Sequence, residues 1–344
     1  MMAEDLDEFP FDWIADDLQE GNCIPFLGAG ASAFPKDINA KPPSARELAL
    51  ELARESRFPP YFVVRDATST DDPAAHERFL RAQLDCENLM LVSSWVEHGT
   101  GDRNRIIRKL RARLADAQNP MPYNSLHDLL ARIAQQKPMA VITTNYDDLI
   151  ELALSKHEVP FDLFVIAIER PAAGEARVQG AMLFKPAGQN EFKPVTGEQE
   201  LLDVEIDAEG VRLRRTVLFK IHGHIGRGRR TDDTFVITEE DYVSFLGRMS
   251  SGNSVIPADL VNLMQSRTLL FLGYGLRDWN FRVLLDRLSR MRPQAIKSYA
   301  IAYDIDDAER QLWDKRDVKV FRADLNEFVP LLEKAWRQTS TPPR

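Results

Sequence analysis

An α/β fold built on a mainly parallel sheet is what this sequence predicts, and three observations predict it. Short apolar runs alternate with helical stretches along the chain. The runs have the length of buried strands. Several of them end abruptly in glycine or in a polar cluster, as strands do when their carboxyl ends open onto a ligand crevice. The runs fall at 23–27, 139–143, 163–168, 217–221, 268–272 and 299–303, with a last one at 318–321.

Between the first two strands, 35–137 reads as mostly helical. Ser44 is a good N-cap, and Glu47 completes a capping box. Ile106, Ile107, Leu110 and Leu114 give 104–117 helical spacing. Its other face carries Arg103, Arg105, Arg108, Lys109, Arg111 and Arg113, either a solvated face or a contact for a partner or nucleic acid. A further helix at 123–135 ends before Pro138, and 148–154 and 279–289 are helical in pattern. The stretch 171–215 holds short extended pieces at 181–185 and 204–206 and a turn at 208–210, and reads as a small β-hairpin elaboration. The expected organisation is a core of 1–34 and 138–344, a helical insertion at 35–137, and the β elaboration at 171–215 within the core.

Composition narrows the function classes. The chain has 344 residues, 44% hydrophobic and 28% charged, enough apolar surface for a sizeable core and too much for disorder. A net charge of −9 argues against a protein whose main task is to coat nucleic acid. Cys23 and Cys86 are too few for a four-cysteine zinc site or a disulfide framework. No apolar run approaches the ~18 residues of a membrane span. The acidic start MMAEDLDEFPFDW is unlike a signal or transit peptide, so a reducing, cytoplasmic setting is the expectation.

Four junctions carry the chemistry. The first is Gly28-Ala29-Gly30-Ala31-Ser32-Ala33 after the first strand. Its Gly-x-Gly-x-x-Ala spacing fits a dinucleotide-binding turn, where missing Cβ atoms let phosphate approach; a tight strand-to-loop turn would look the same. The second is Thr143-Thr144-Asn145-Tyr146-Asp147-Asp148, where Asn145 and Asp147 either face the crevice or cap the next helix. The third is Lys220-Ile221-His222-Gly223-His224. His222 is the candidate general base, because imidazole exchanges protons near neutral pH. His224 is a second contact or a loop residue, and Gly223 permits close approach. The basic loop 226–230 either meets phosphates or is solvated. The fourth is Leu272-Gly273-Tyr274-Gly275-Leu276-Arg277-Asp278, a second glycine turn, with Asp278 a helix cap or a ribose contact.

In this order the four junctions resemble the sirtuin fold: GAGAS (28–32), TTNYD (143–147), IHG (221–223) and LGYGLRD (272–278). Pro43-Ser44 with Glu47-Leu48, the segment 236–242, and Ala323-Asp324-Leu325 also resemble sirtuin-like bacterial proteins. The resemblance implies a Rossmann-like, mainly parallel sheet. It also implies NAD+ as substrate, held by Gly28, Ala29, Gly30, Ser32, Thr144, Gly273, Tyr274 and Asp278, with Asn145, Asp147 and His222 catalytic and no metal. Departures accompany it. The cysteine pairs of the zinc ribbon in protein-deacylating sirtuins are missing, and Phe34-Pro35-Lys36-Asp37 stands where those enzymes carry Pro-Asp-Phe-Arg. These departures resemble the zinc-free NAD-consuming effectors of bacterial antiphage defence. That likeness implies an NAD+ glycohydrolase acting by abortive infection, a homo-oligomer, and a HerA-type hexameric ATPase as partner, without a membrane or direct nucleic-acid role. An NAD-dependent deacylase or ADP-ribosyltransferase, and a non-catalytic NAD/ADP-ribose-binding module, are the competing expectations.

Overall fold

The structure, a computed structural model, describes residues 6–34, 41–66, 72–101, 103–116, 121–167, 182–195, 202–207, 210–225, 234–250, 258–274 and 296–339. In chain order its first elements are α1 (Phe11–Glu20), β1 (Cys23–Leu27) and α2 (Ala29–Ala33). Next come helices α3 (Ala45–Glu55), α4 (Pro59–Arg65), α5 (Pro73–Glu87), α6 (Leu89–Thr100), α7 (Asn104–Leu114) and α8 (Ser125–Gln136). Then follow β2 (Ala140–Thr143), α9 (Leu149–Lys156), β3 (Phe161–Ile166), β4 (Met182–Lys185), β5 (Lys193–Pro194), β6 (Val204–Asp207), β7 (Gly210–Leu213) and β8 (Thr216–Lys220). The remainder is β9 (Gly223–His224), β10 (Thr234–Phe235), α10 (Glu239–Ser250), α11 (Ala258–Ser266), β11 (Thr268–Leu272), β12 (Ser298–Ala302), α12 (Asp307–Asp314), β13 (Val318–Arg322) and α13 (Leu325–Thr339).

Nine strands form one sheet in the order β13-β12-β11-β1-β2-β8-β3-β4-β5. From β13 to β3 every pairing is parallel. The edge strands β4 and β5 are antiparallel, so part of the expected β elaboration extends the main sheet, while β6 and β7 form a separate hairpin. β1, β8 and β11 are buried along their whole length, which is why their sequences are mostly apolar and do not alternate, with Lys220 at the end of β8 as the charged exception. Leu27, Val141 and Leu218 point to the face covered by α1, α8, α9 and α13. Phe26, Ile142 and Phe219 point to the face covered by α10, α11 and α12. Strand order reverses between β1 and β11, the place in such sheets where ligands settle beyond the carboxyl ends.

Two expectations change. The helix α8 falls within the stretch read as an insertion, but Leu126, Leu129, Leu130 and Ile133 put it in the main core beside β1 and β2. Helical periodicity reports that a face is buried, not what buries it. The basic face of α7 is mostly claimed within the insertion. Lys109 lies 2.7 Å from both Glu51 and Glu55 of α3, and Arg113 lies 3.2 Å from Glu51. Arg103 reaches Glu97 at 2.9 Å, Asp241 at 2.9 Å and the Phe235 carbonyl at 2.8 Å. It thereby bolts the insertion to the segment behind β10. The acids that answer this face come from other helices, so the charges of 104–117 alone could not disclose the pairing. Among the described residues, no helix is long and apolar enough to cross a membrane.

Candidate active site

The first and fourth junctions meet at the switch point, and they meet backbone to backbone. The Gly28 N–H donates to the Leu272 carbonyl at 3.0 Å, and the Gly30 N–H to the Gly273 carbonyl at 2.8 Å. A Cβ on Gly28 would lie 2.4 Å from the Tyr274 Cα, and one on Gly273 would lie 2.1 Å from the Ala31 nitrogen. Gly273 also has φ +60°, a conformation glycine adopts freely. The close approach these glycines permit is therefore to each other. The Ala31 N–H donates back to Gly28 at 2.9 Å, so three of the loop's amides are already engaged. Ala29 and Gly30 stay exposed at the lip. Tyr274 turns its ring inward, 5.2 Å from Phe26 in the core. Asp278, the helix at 279–289 and the basic loop at 226–230 lie outside the described residues.

The second junction reaches across to the first. Thr144 donates its N–H to the Leu27 carbonyl at 3.1 Å, which holds the end of β2 beside the end of β1. The Asn145 N–H is capped by the Thr143 hydroxyl at 3.0 Å, so its side chain is free to turn sideways. That side-chain amide donates to the Gly28 carbonyl and to the Ser32 hydroxyl, both at 2.9 Å. Asp147 is buried. Its carboxylate accepts from the Leu149 N–H at 3.2 Å, as a helix cap, and also from Ser32. Burial pushes its pKa above the ordinary carboxylate value, against the opposing charge of Lys220 and its own hydrogen bonds. Asn145, Ser32 and Asp147 thus form one connected polar group, and of the two roles left open by its sequence Asp147 fills that of helix cap.

The third junction splits its two histidines. The His222 ring is buried edge-on against Tyr242 and Phe245, each 5.6 Å away between centroids. Gly223, at φ +103°, makes room for β10, because a Cβ there would lie 2.1 Å from the Thr234 carbonyl oxygen. His224 is buried on the α9 side, its Nδ1 3.5 Å from a Glu151 oxygen. Burial holds the His224 imidazole well below its usual pKa, and the charges of Lys220, Lys185 and Arg111 add to the effect.

Sequence reasoning missed Lys220 and Glu151. The Lys220 ammonium is wholly buried, 2.8 Å from Glu151 Oε1, and donates to the carbonyls of Tyr146 and Asp147. A signal existed: a lysine inside an otherwise apolar strand, Val217-Leu218-Phe219-Lys220-Ile221, requires a buried partner. Which acid supplies it depends on the packing of α9.

An open, mostly parallel α/β sheet with its polar side chains gathered at the carboxyl edge is the class of protein that this fold and site define. The SIR2-like domain model matches residues 139–321, more than half of the chain, and the chain belongs to that family. It is 25% identical over 288 residues to "NAD(+) hydrolase ThsA" of Acinetobacter baumannii (strain 532279), covering 83% of this chain and 43% of that protein. It is 24% identical over 215 residues to "Defense-associated sirtuin 2" of Bacillus subtilis, covering 60% of this chain and 17% of that protein. The chain thus spans less than half the length of these two relatives. Solved structures it is similar to include a Sir2 enzyme (13% identity, TM-score 0.35) and a Sir2 homologue mutant bound to ADP-ribose (12% identity, TM-score 0.42). Each alignment covers 96% of this chain and 98% of the other.

Proposed function

We propose that this chain is an NAD+ glycohydrolase and serves as a cytoplasmic antiphage effector. It cuts the bond between nicotinamide and ribose with water, giving nicotinamide, ADP-ribose and a proton. The observation that carries the reading is the Asn145 amide, which joins the end of β2 to Gly28 and Ser32 at the switch point. The names of the relatives, an NAD+ hydrolase and a defence-associated sirtuin, support it.

The transition state of this cleavage is oxocarbenium-like, and the leaving group departs as neutral nicotinamide, so strong acid catalysis is unnecessary. The site's tasks are to orient the ribose, admit one water and favour positive charge. Asn145 orients the ribose or the attacking water. Asp147, tied to the same Ser32, favours the cationic ribose through its charge. His222 is the general base toward a ribose hydroxyl or water, contributing roughly 10²–10⁴-fold. The exposed lip at Ala29–Gly30 gives the pyrophosphate a surface without bulky side chains.

The test is to incubate the purified chain with NAD+ and no acceptor, and to follow nicotinamide by chromatography beside Asn145→Ala and His222→Ala. Release by the wild type and its loss in both variants is the expected result. Intact NAD+ with measurable ADP-ribose binding would replace this reading with a binding module. Turnover only with an acyl-lysine peptide would replace it with a deacylase.

A further inference from the structure

An ammonium group with no access to water sits at the end of β8, held by the turn that follows β2 and by the first turn of α9. β2 ends at Thr143 and α9 begins at Leu149. Between them the chain reverses with the carbonyls of Tyr146 and Asp147 turned toward the protein. Buried carbonyls need donors. The Tyr146 carbonyl accepts from the Ile225 N–H at 2.9 Å and from Lys220 at 3.3 Å. The Asp147 carbonyl accepts from Lys220 as well. The third partner of the ammonium is Glu151 Oε1 at 2.8 Å, supplied by the first turn of α9, one helical turn beyond Asp147. A lysine suits this place because three donors diverge from a single atom, whereas the planar fork of an arginine would address one carboxylate.

This arrangement is a closed clamp: strand end, turn, helix start, and back to the strand. A buried ion pair is a poor way to gain stability, since well-packed apolar residues of similar volume commonly do as well or better. What the pair supplies here is position. The turn it grips is the one that presents the Asn145 amide and the Asp147 carboxylate. Both carbonyls it holds are within two residues of Asn145.

We propose that Lys220 and Glu151 are the positioning pair of the site, which hold the 143–149 turn so that Asn145 and Asp147 are presented in one fixed geometry. What they are presented to rests on the NAD+ reading; the clamp itself does not.

The decisive variant is the double substitution Lys220→Met with Glu151→Leu, which removes both charges while keeping volume. It avoids the stranded charge that either single substitution would leave. Three quantities are measured on the full chain: thermal melting, hydrogen exchange by mass spectrometry over 143–149, and nicotinamide release. The double variant strands neither charge of the pair but takes the donor from the Asp147 carbonyl, so it should melt a few degrees below the wild type while remaining folded. Exchange over 143–149 should be about tenfold faster, with the rest of the sheet unchanged. Nicotinamide release should lose about a hundredfold in kcat with little change in KM, because a displacement near 1 Å costs that much. Wild-type exchange over 143–149 in the double variant would overturn the proposal. So would exchange accelerated evenly across the sheet, which would make the pair an ordinary structural one. If the wild type leaves NAD+ intact, the reading of the function falls, and the exchange comparison still decides the clamp.

Discussion

At the β1/β11 side of the sheet edge, Gly28 and Gly30 press on Gly273 with no side chain between them; at the β2/β8 side, Lys220 and Glu151 fill the gap between backbone segments with a buried ion pair. The two junctions lie at the same end of one sheet, and each brings loops together after parallel strands. They differ in what they tolerate. Backbone on backbone leaves nothing to titrate and no space for a methyl group. An ion on carbonyls can accept some change of shape but no loss of charge. The polar residues proposed for the chemistry gather on the second side and reach the first through the hold of Asn145 on Gly28 and Ser32 and of Asp147 on Ser32. The glycine side is the fixed floor, and the ionic side carries the groups whose charge matters.

The sharpest way to break this comparison is to put a methyl group on the glycine side. In Gly273→Ala the new Cβ would lie 2.1 Å from the Ala31 nitrogen and 2.4 Å from the Gly30 carbonyl carbon. Neither neighbour is a flexible side-chain end, so the loop from Gly28 to Ser32 must move. Overpacking together with the left-handed backbone should cost at least about 3 kcal/mol. Urea unfolding measures it, and a loss under about 1 kcal/mol would show that the two turns are not locked together.

The ionic side should respond in the opposite sense. Burial raises the Asp147 carboxyl above its ordinary value in the folded chain. The folded state therefore holds that proton more tightly than the unfolded state does. Asp147 contributes stability below its unfolded value near 3.9, and the contribution is lost as pH rises through its folded value. Ionising this buried side chain is therefore a net cost to the fold. Asp147→Asn keeps an oxygen for the Leu149 N–H, and it should gain about 1–2 kcal/mol near neutral pH while nicotinamide release falls. The gain should shrink toward pH 4. A variant less stable than the wild type near neutral pH would mean that Lys220 more than compensates the burial of Asp147.

Much of this was legible in the sequence, and the parts that were not have a common cause. β1 and β11 were readable to the residue because their apolar runs stop at glycine. The order of four junctions pointed to the fold and put Asn145 at a strand end, but the reach of its amide to Gly28 and Ser32 was not legible. The purpose of the glycines was not legible: Gly28 and Gly273 are needed for contact with backbone that arrives from far along the chain, and Gly223 for contact with β10. Nor was the pairing of Lys220, because its acid is supplied by a helix 69 residues away. Nor was the place of the Tyr274 ring, since nothing local says that Phe26 awaits it. Sequence discloses residue types at strand ends. Which of them face the crevice, and which face the protein, is decided by packing across the sheet.

The smallest expected effect is the best control for the largest. Gly247 lies exposed in α10, where a Cβ would meet nothing within 4 Å. Gly247→Ala is the same chemical change as Gly273→Ala, the addition of one methyl group. In a helix with open space it removes conformational freedom from the unfolded chain and should stabilise by about 0.5 kcal/mol. Thermal melting should rise by about 1–2 °C. The two substitutions together separate what alanine does to any glycine from what it does where two backbones touch. If both variants lost stability to a similar degree, the loss at Gly273 would not be a clash, and the close contact of the two glycine turns would no longer explain why glycine stands at 28, 30 and 273.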